Sequence, residues 1–300
     1  MRALRSFFFI FASVIFAASG CSKSAEKIRC SERDPKTGQT NFGKQSFNAG
    51  TVNYHGISFN FDSSLGEVAA ETRCAVTDLN LGKGIFYEYH PEHPAFVFKG
   101  DYANQLKDSF FSKPEIRIYP VSEYLEIVRQ SADLKSNVEE EFERLKDSLK
   151  KKPTSFTYEA PFVAVLEAGQ LFQAKVKYVS FKTGQGIIYL TWFCNDPTRS
   201  CDIDSQGLSY VFQGLTNDNR HFVYATFPVS TRLLPLKEKV LDIFGCFNFR
   251  KDATFDQLIE ACQKYGQQVG NKVDLFVSTD FYPSLDLFDQ LIQSLNIATP

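Results

Sequence analysis

Residues 210–229 read YVFQGLTNDNRHFVYATFPV, two runs rich in aromatic and β-branched residues divided by the polar segment Thr216-Asn217-Asp218-Asn219-Arg220. Aromatic and β-branched side chains suit a pleated, packed surface, and Asn and Asp tolerate the backbone of a tight turn. The stretch therefore predicts an antiparallel hairpin of Ser209–Leu215 with His221–Val229. Upstream, Phe172, Ala174, Val176 and Tyr178 alternate with Gln173, Lys175 and Lys177, which predicts one buried and one wet face. Lys182 to Gly186 turns the chain into Ile187–Phe193, apolar on both faces and so a central strand.

The same reading extends toward the N-terminus. Ile57, Phe59 and Phe61 alternate with Ser58, Asn60 and Asp62, and further strands are expected within Glu67–Val76, around Ala95–Lys99 and at Glu115–Pro120. Asp133–Lys152 has helical spacing instead, with Val138, Phe142, Leu145 and Leu149 in one stripe and Pro153 as its stop. Ser136 and Glu139 have the spacing of a capping box. Its glutamates lie early and its lysines late, as the helix dipole favours, so this charge pattern needs no binding role. After Pro235 helices return: Thr254 and Gln257 cap a short helix reaching Cys262, and a last helix from Ser284 buries Leu287, Phe288, Leu291 and Leu295. Hairpins flanked by helices define an α+β fold, a mainly antiparallel sheet with helices packed on it. It forms one domain over residues 51–300 whose C-terminal part, 236–300, is helical.

The N-terminus is of another kind. Arg2 and Arg5 precede an apolar run from Ser6 to Ala18, and Ala18-Ser19-Gly20 sets small residues ahead of Cys21. A basic start, a short apolar stretch and small residues at the cut make a secretory signal, too short to span a bilayer. With a cysteine at the cut, it looks like a bacterial lipoprotein signal over residues 1–20. That resemblance implies that Cys21 is lipidated and becomes the first residue, so the membrane is a partner through the lipid. Ala18 departs from the branched residue usual there, and a plain secretory signal is the competing reading. Ser22 to Gly50 is polar and reads as a tether over residues 21–50.

Of seven cysteines, six remain beside Cys21: Cys30, Cys74, Cys194, Cys201, Cys246 and Cys262. An even set in an exported chain fits disulfides. Short loops close most cheaply, which favours Cys194–Cys201 and Cys246–Cys262 and leaves Cys30 with Cys74. Zinc is the competing reading, but no Cys-x-x-Cys occurs. Residues 21–300 hold 31 basic and 35 acidic side chains, a net charge of −4, which argues against a nucleic-acid partner. Thirty phenylalanines and 13 tyrosines can build a substantial core.

Four stretches offer chemistry, and each has a plainer reading. Tyr89-His90-Pro91-Glu92-His93-Pro94 has metal-ligand residue types, but an extended, proline-rich backbone turns His90 and His93 to opposite sides. His221 follows Asp218, yet no Gly-x-Ser-x-Gly elbow supplies a nucleophile. Gly266 to Lys272 lacks the Gly-Lys-Ser/Thr of a phosphate loop and reads as a helix end and loop. Asp196 to Ser200, with Asp202 and Asp204, lacks the glycine and terminal glutamate of a calcium loop. No catalytic residue, metal site or cofactor is assigned.

The 210–229 hairpin with Leu234-Pro235, the opening YHGISFNFD (54–62) and the closing FYPSLDLFDQLIQSL (281–295) resemble segments of uncharacterised bacterial lipoproteins. The arrangement is similar to the PsbP-like α/β sandwich, seen in an extrinsic photosystem II subunit and in a Ran-binding import factor. That resemblance covers most of residues 52–296 and implies a non-enzymatic binding or assembly module with an envelope protein partner. Ser22 does not resemble an inner-membrane retention signal, which implies the outer membrane, facing the periplasm. The alternative expectation is an envelope hydrolase with a non-contiguous active site.

Overall fold

The computed structural model of the chain describes residues 28–29, 44–48, 50–76, 90–105, 113–130, 132–154, 160–163, 169–194, 203–236 and 254–298. In chain order the strands and helices are β1 (Ile28–Arg29), β2 (Gln45–Phe47), β3 (Gly50–Tyr54), β4 (Ile57–Phe61), β5 (Glu67–Arg73), β6 (Ala75–Val76) and β7 (His93–Lys99). Next come α1 (Asp101–Gln105), β8 (Glu115–Pro120), α2 (Val121–Arg129), α3 (Ala132–Lys151), β9 (Gly169–Gln170), β10 (Ala174–Phe181) and β11 (Gly184–Cys194). The remainder is β12 (Leu208–Thr216), β13 (His221–Thr231), α4 (Phe255–Val273), β14 (Phe281–Tyr282), α5 (Leu285–Ser294) and β15 (Asn296–Ile297).

The main sheet runs β10-β11-β12-β13-β8-β7-β5-β2, every neighbouring pair antiparallel, with β9 added to β11 and β14 to β13. A second sheet, β15-β4-β3, folds against it, and β1 pairs with β6. The hairpin read from residues 210–229 is the middle of the sheet. All nine residues of β12 are buried, and β13 is buried throughout except for His221 and Ser230. Both its faces are therefore covered, and the molecule has three layers.

On one face Tyr210, Phe212, Val223, Phe227, Ile116 and Phe96 meet α5 and the small sheet. Phe288 of α5 stacks on Phe227 at 4.4 Å between ring centroids. Burying such a ring contributes about 1.5–3 kcal/mol. The neighbouring Asp289 is also buried, where a lone carboxylate is costly. It is paired: Tyr210 Oη donates to Oδ1 at 2.8 Å and Lys177 Nζ donates to Oδ2. On the other face Tyr119, Phe222, Val211 and Ile187 meet α2 and α3 through Tyr124, Phe142 and Leu145.

The α+β fold expected from the hairpins is thus the observed one. Several local expectations need correction. Helix α3 begins at Ala132, so Ser136 lies inside it and not at its start. Helix α4 does have the Thr254–Gln257 capping box but continues to Val273, well past Cys262. Strand β10 loses its expected alternation at a register shift between Ala174 and Lys177, where Lys175 takes a φ of 53°. The shift hands the first core to Val179 and Phe181, while Val176 and Tyr178 pack against the second. Strands β1 and β2 fall inside the stretch expected to act only as a tether.

Gly266 and Gly270 sit one helical turn apart in α4, and a Cβ at Gly266 would lie 2.0 Å from the Leu171 carbonyl oxygen. At Gly270 it would press on the Phe172 ring at 3.3 Å. The glycines expected to mark a helix end instead let a continuous helix approach the sheet. Gly266→Ala is therefore expected to cost about 1–3 kcal/mol through overpacking. Gln267→Ala, on the exposed side, should stay within about 0.5 kcal/mol. Urea unfolding of the two variants measures the difference.

Candidate functional site

The second face of the sheet is apolar under α2 and α3 and becomes polar toward β7 and β5. Register explains the juxtaposition, because residues of one face recur at every second position and align across neighbouring strands. Tyr224 of β13 lies opposite Arg117 of β8, Arg117 opposite Ala95 of β7, and Ala95 opposite Glu71 of β5. The adjoining row sets Thr226 opposite Glu115, and Glu115 opposite Val97.

Glu115 is the hub. It is 1% exposed, and both its oxygens are held by guanidinium groups: Arg73 Nη2 donates to Oε2 at 2.8 Å and Arg117 Nη2 donates to Oε1. Burial alone would raise its pKa, but the two arginines outweigh burial and hold it below the usual carboxylate value. Arg117 also donates to the Tyr119 hydroxyl at 3.3 Å. At the rim, Arg73 Nε donates to Glu71 at 3.1 Å, and Lys44 approaches Glu71 at 3.7 Å.

His93 adjoins this network with its ring 4.4 Å from that of Tyr119 and 4.6 Å from that of His90. The two imidazoles were expected to point to opposite sides, whereas their rings meet edge to face. The cause is local: His90 is bridged to Val76 through both backbone hydrogen bonds, and both Nδ1 atoms turn to the Pro91 carbonyl, at 3.1 and 2.8 Å. A carbonyl only accepts, so His93 Nδ1 carries the proton and Nε2 is left as the acceptor. Burial, then the neighbouring His90, brings the His93 pKa down to about 2, and burial brings that of His90 to about 4. Neither is a poised base at neutral pH. No cluster of three metal-ligating side chains occurs among the described residues.

Among the buried polar atoms of this face that have no hydrogen-bond partner among the described residues are His93 Nε2, Arg117 Nε, the Tyr224 hydroxyl and Thr226 Oγ1. Two glutamines farther along the face are satisfied by pairing. Gln213 exchanges both amide hydrogen bonds with the backbone of Val163, at 2.9 and 3.1 Å, and Gln173 does the same with Ala160. Sequence reading missed the polar site because Arg117 and Tyr119 alternate with Ile116 and Ile118, the pattern of a solvent-facing strand side. The signal that was present is the Glu-x-Arg-x-Tyr spacing itself, which puts all three on one face.

The expected cysteine sites fare differently. Cys74 is disulfide-bonded. It follows β5 directly and precedes β6, whose pairing with β1 has the register Ile28↔Val76 and Arg29↔Ala75. Cys262 is buried in α4. Cys194 ends β11, while Cys21, Cys30, Cys201 and Cys246 lie outside the described residues, as do the signal, Asp196 to Ser200 and Asp202. Asp204 accepts from the backbone amides of Gln206 and Gly207 at 2.6 and 3.2 Å, closing a turn. Asp218 accepts from Thr216 Oγ1 and the Arg220 amide at 2.6 and 3.0 Å, so it secures the hairpin turn. Among the described residues no helix is long and apolar enough to cross a membrane.

No family model, curated protein or solved structure matches the chain.

The depressed histidines make a pH prediction. An unfolded histidine takes up its proton near pH 6.5, whereas native His90 and His93 resist to about 4 and about 2. Below pH 6.5 the unfolded state thus binds more protons, and stability falls as pH drops. The loss approaches about 1.4 kcal/mol per pH unit for each histidine between its unfolded and folded values. Chemical unfolding from pH 7 to 4 should show this acid limb, and His93→Phe should make it shallower. Glu115→Gln should cost about 3–5 kcal/mol at pH 7 by leaving the buried Arg117 guanidinium without a carboxylate and Arg73 with only Glu71.

Proposed function

We propose that this chain is an exported bacterial lipoprotein, tied to a bilayer by lipid on Cys21, whose folded domain is a non-enzymatic binding or assembly module. The observation that carries export is the disulfide at Cys74, since such bonds persist in oxidising compartments. The signal-like run ahead of Cys21 supports the same reading. Cys30 is the proposed partner of Cys74. Continuing the β1–β6 register by one pair sets position 30 opposite position 74. The bond then staples the first residues after the lipid to the end of β5, and only six residues, 22–27, separate Cys21 from β1. At roughly 3.4 Å per residue, the leash holds this end of the sheet within about 25 Å of the bilayer.

Binding, rather than catalysis, is supported by the chemistry of the polar face. Its carboxylate is engaged by two arginines and its histidine is held neutral, while its unpartnered groups are mostly hydrogen-bond donors. Donors held in place bind, but they do not make a nucleophile with its base. The partner is an envelope protein, and the proposed location is the outer membrane, facing the periplasm.

Fractionation of cells expressing the full chain tests the anchor. The protein should partition with membranes and yield an N-terminal Cys21 carrying a diacylglyceryl thioether by mass spectrometry. Cys21→Ser should release it from the membrane fraction. A Cys21→Ser protein that stays as firmly in that fraction contradicts the proposal.

A further inference from the structure

Three features of the molecule invite a further reading: an exposed apolar end, a buried carboxylate on α5, and the orphaned polar groups of the second face. The exposed large apolar side chains among the described residues are Leu233, Leu236, Leu275, Val277 and Tyr282, the last on β14 where it pairs with the end of β13. Nothing in the structure says what covers them. Asp289 is fully engaged by Tyr210 and Lys177. The orphaned groups differ from both, because they are buried, chemically alike and set side by side by the sheet register.

We propose that the floor around Arg117, Tyr224 and Thr226 is a binding site for a small oxyanion, either a carboxylate or a phosphate. Tyr224 is 1% exposed and Thr226 2%, and neither hydroxyl meets an acceptor among the described residues. Arg117 spends its terminal nitrogens on Glu115 and Tyr119 and keeps Nε–H unengaged. Three donors on one face call for a guest rich in acceptors, since a buried donor left without an acceptor is costly. Two hydroxyls and a guanidinium N–H are the donor set that oxyanions recruit.

Charge points the same way. Taken whole, the network sets Lys44, Arg73 and Arg117 against Glu71 and Glu115, three positive charges against two negative, and so carries one net positive charge. Glu71 and Arg73 are equally exposed, at 25% each, while Lys44, at 64%, is the outermost member. Ala95 and Val97, across from Arg117 and Glu115, keep the neighbouring positions of β7 free of long side chains. A single negative charge completes the balance, and the apolar helical half of the same face confines it to this side.

The site gives the proposed binding module its ligand class and rests on that reading, while its test is independent of the anchor. The full chain, in detergent, is titrated with sodium acetate and separately with sodium phosphate, at constant ionic strength set by sodium chloride. Isothermal titration and melting temperature are followed together. One of the two anions should bind saturably and raise the melting temperature, and which of them does so identifies the oxyanion. Tyr224→Phe and Thr226→Val should each weaken that binding at least tenfold without lowering the melting temperature of the anion-free protein. The second condition separates a ligand site from buried water, because a hydroxyl already bridged by water is missed when removed.

The proposal is overturned by no saturable binding of either anion, or by binding to both variants as tight as to the wild type. A drop in the anion-free melting temperature of Tyr224→Phe also overturns it, by showing the hydroxyl to be structurally engaged. If the site fails while the wild type still fractionates with membranes through Cys21, the lipoprotein reading stands alone.

Discussion

Burial of the central hairpin on both faces governs this molecule. Strands β12 and β13 have no wet side, so every side chain along them must either pack or find a partner inside the protein. Most of them pack, and the phenylalanines so frequent in the composition supply that packing: Phe212 and Phe227 toward α5, Phe222 toward α3. The polar residues of the same strands carry the remaining information. Gln213 and Tyr210 are answered by the backbone of Val163 and by Asp289. Tyr224 and Thr226 are not answered among the described residues, and they adjoin the most concentrated buried charge in the described structure.

That asymmetry connects fold to function. A sheet face half covered by helices and half lined by arginine, glutamate and tyrosine is costly to build for stability alone, since charged groups lose more on burial than ordinary packing returns. The helices α2 and α3 hold the apolar half rigid. The polar half is held by mutual pairing around Glu115 and, at its edge, by the Val76–His90 bridge that follows the Cys74 disulfide and the β1–β6 pairing. Cys74 and the polar floor thus lie at one end of the sheet, beside β5 and β7.

The architecture was legible in the sequence because period-two alternation and turn chemistry survive translation into contacts. Ile57-Ser58-Phe59-Asn60-Phe61 and the 210–229 hairpin became the strands they predict. Position 175 was not legible, since one residue in the left-handed region shifts a whole strand to the other parity. Helix glycines were also misread: Gly266 and Gly270 look like breakers in one dimension and are spacers in three. The polar site escaped for a related reason. Arg117 and Tyr119 show a wet face by pattern, and only the order of strands, with β8 between β7 and β13, reveals that this face is enclosed. The N-terminal reading depends on covalent chemistry that no packing pattern encodes.

Maturation in an oxidising compartment, with Cys30 joined to Cys74 beside the polar floor, is the proposal on which the others depend. Peptide mapping without reduction, on protein alkylated as cells are opened, tests this directly. It should recover the Cys74 peptide covalently joined to the Cys30 peptide, separable only by a reductant. Recovery of Cys74 as an alkylated thiol, or joined to another cysteine, would contradict it.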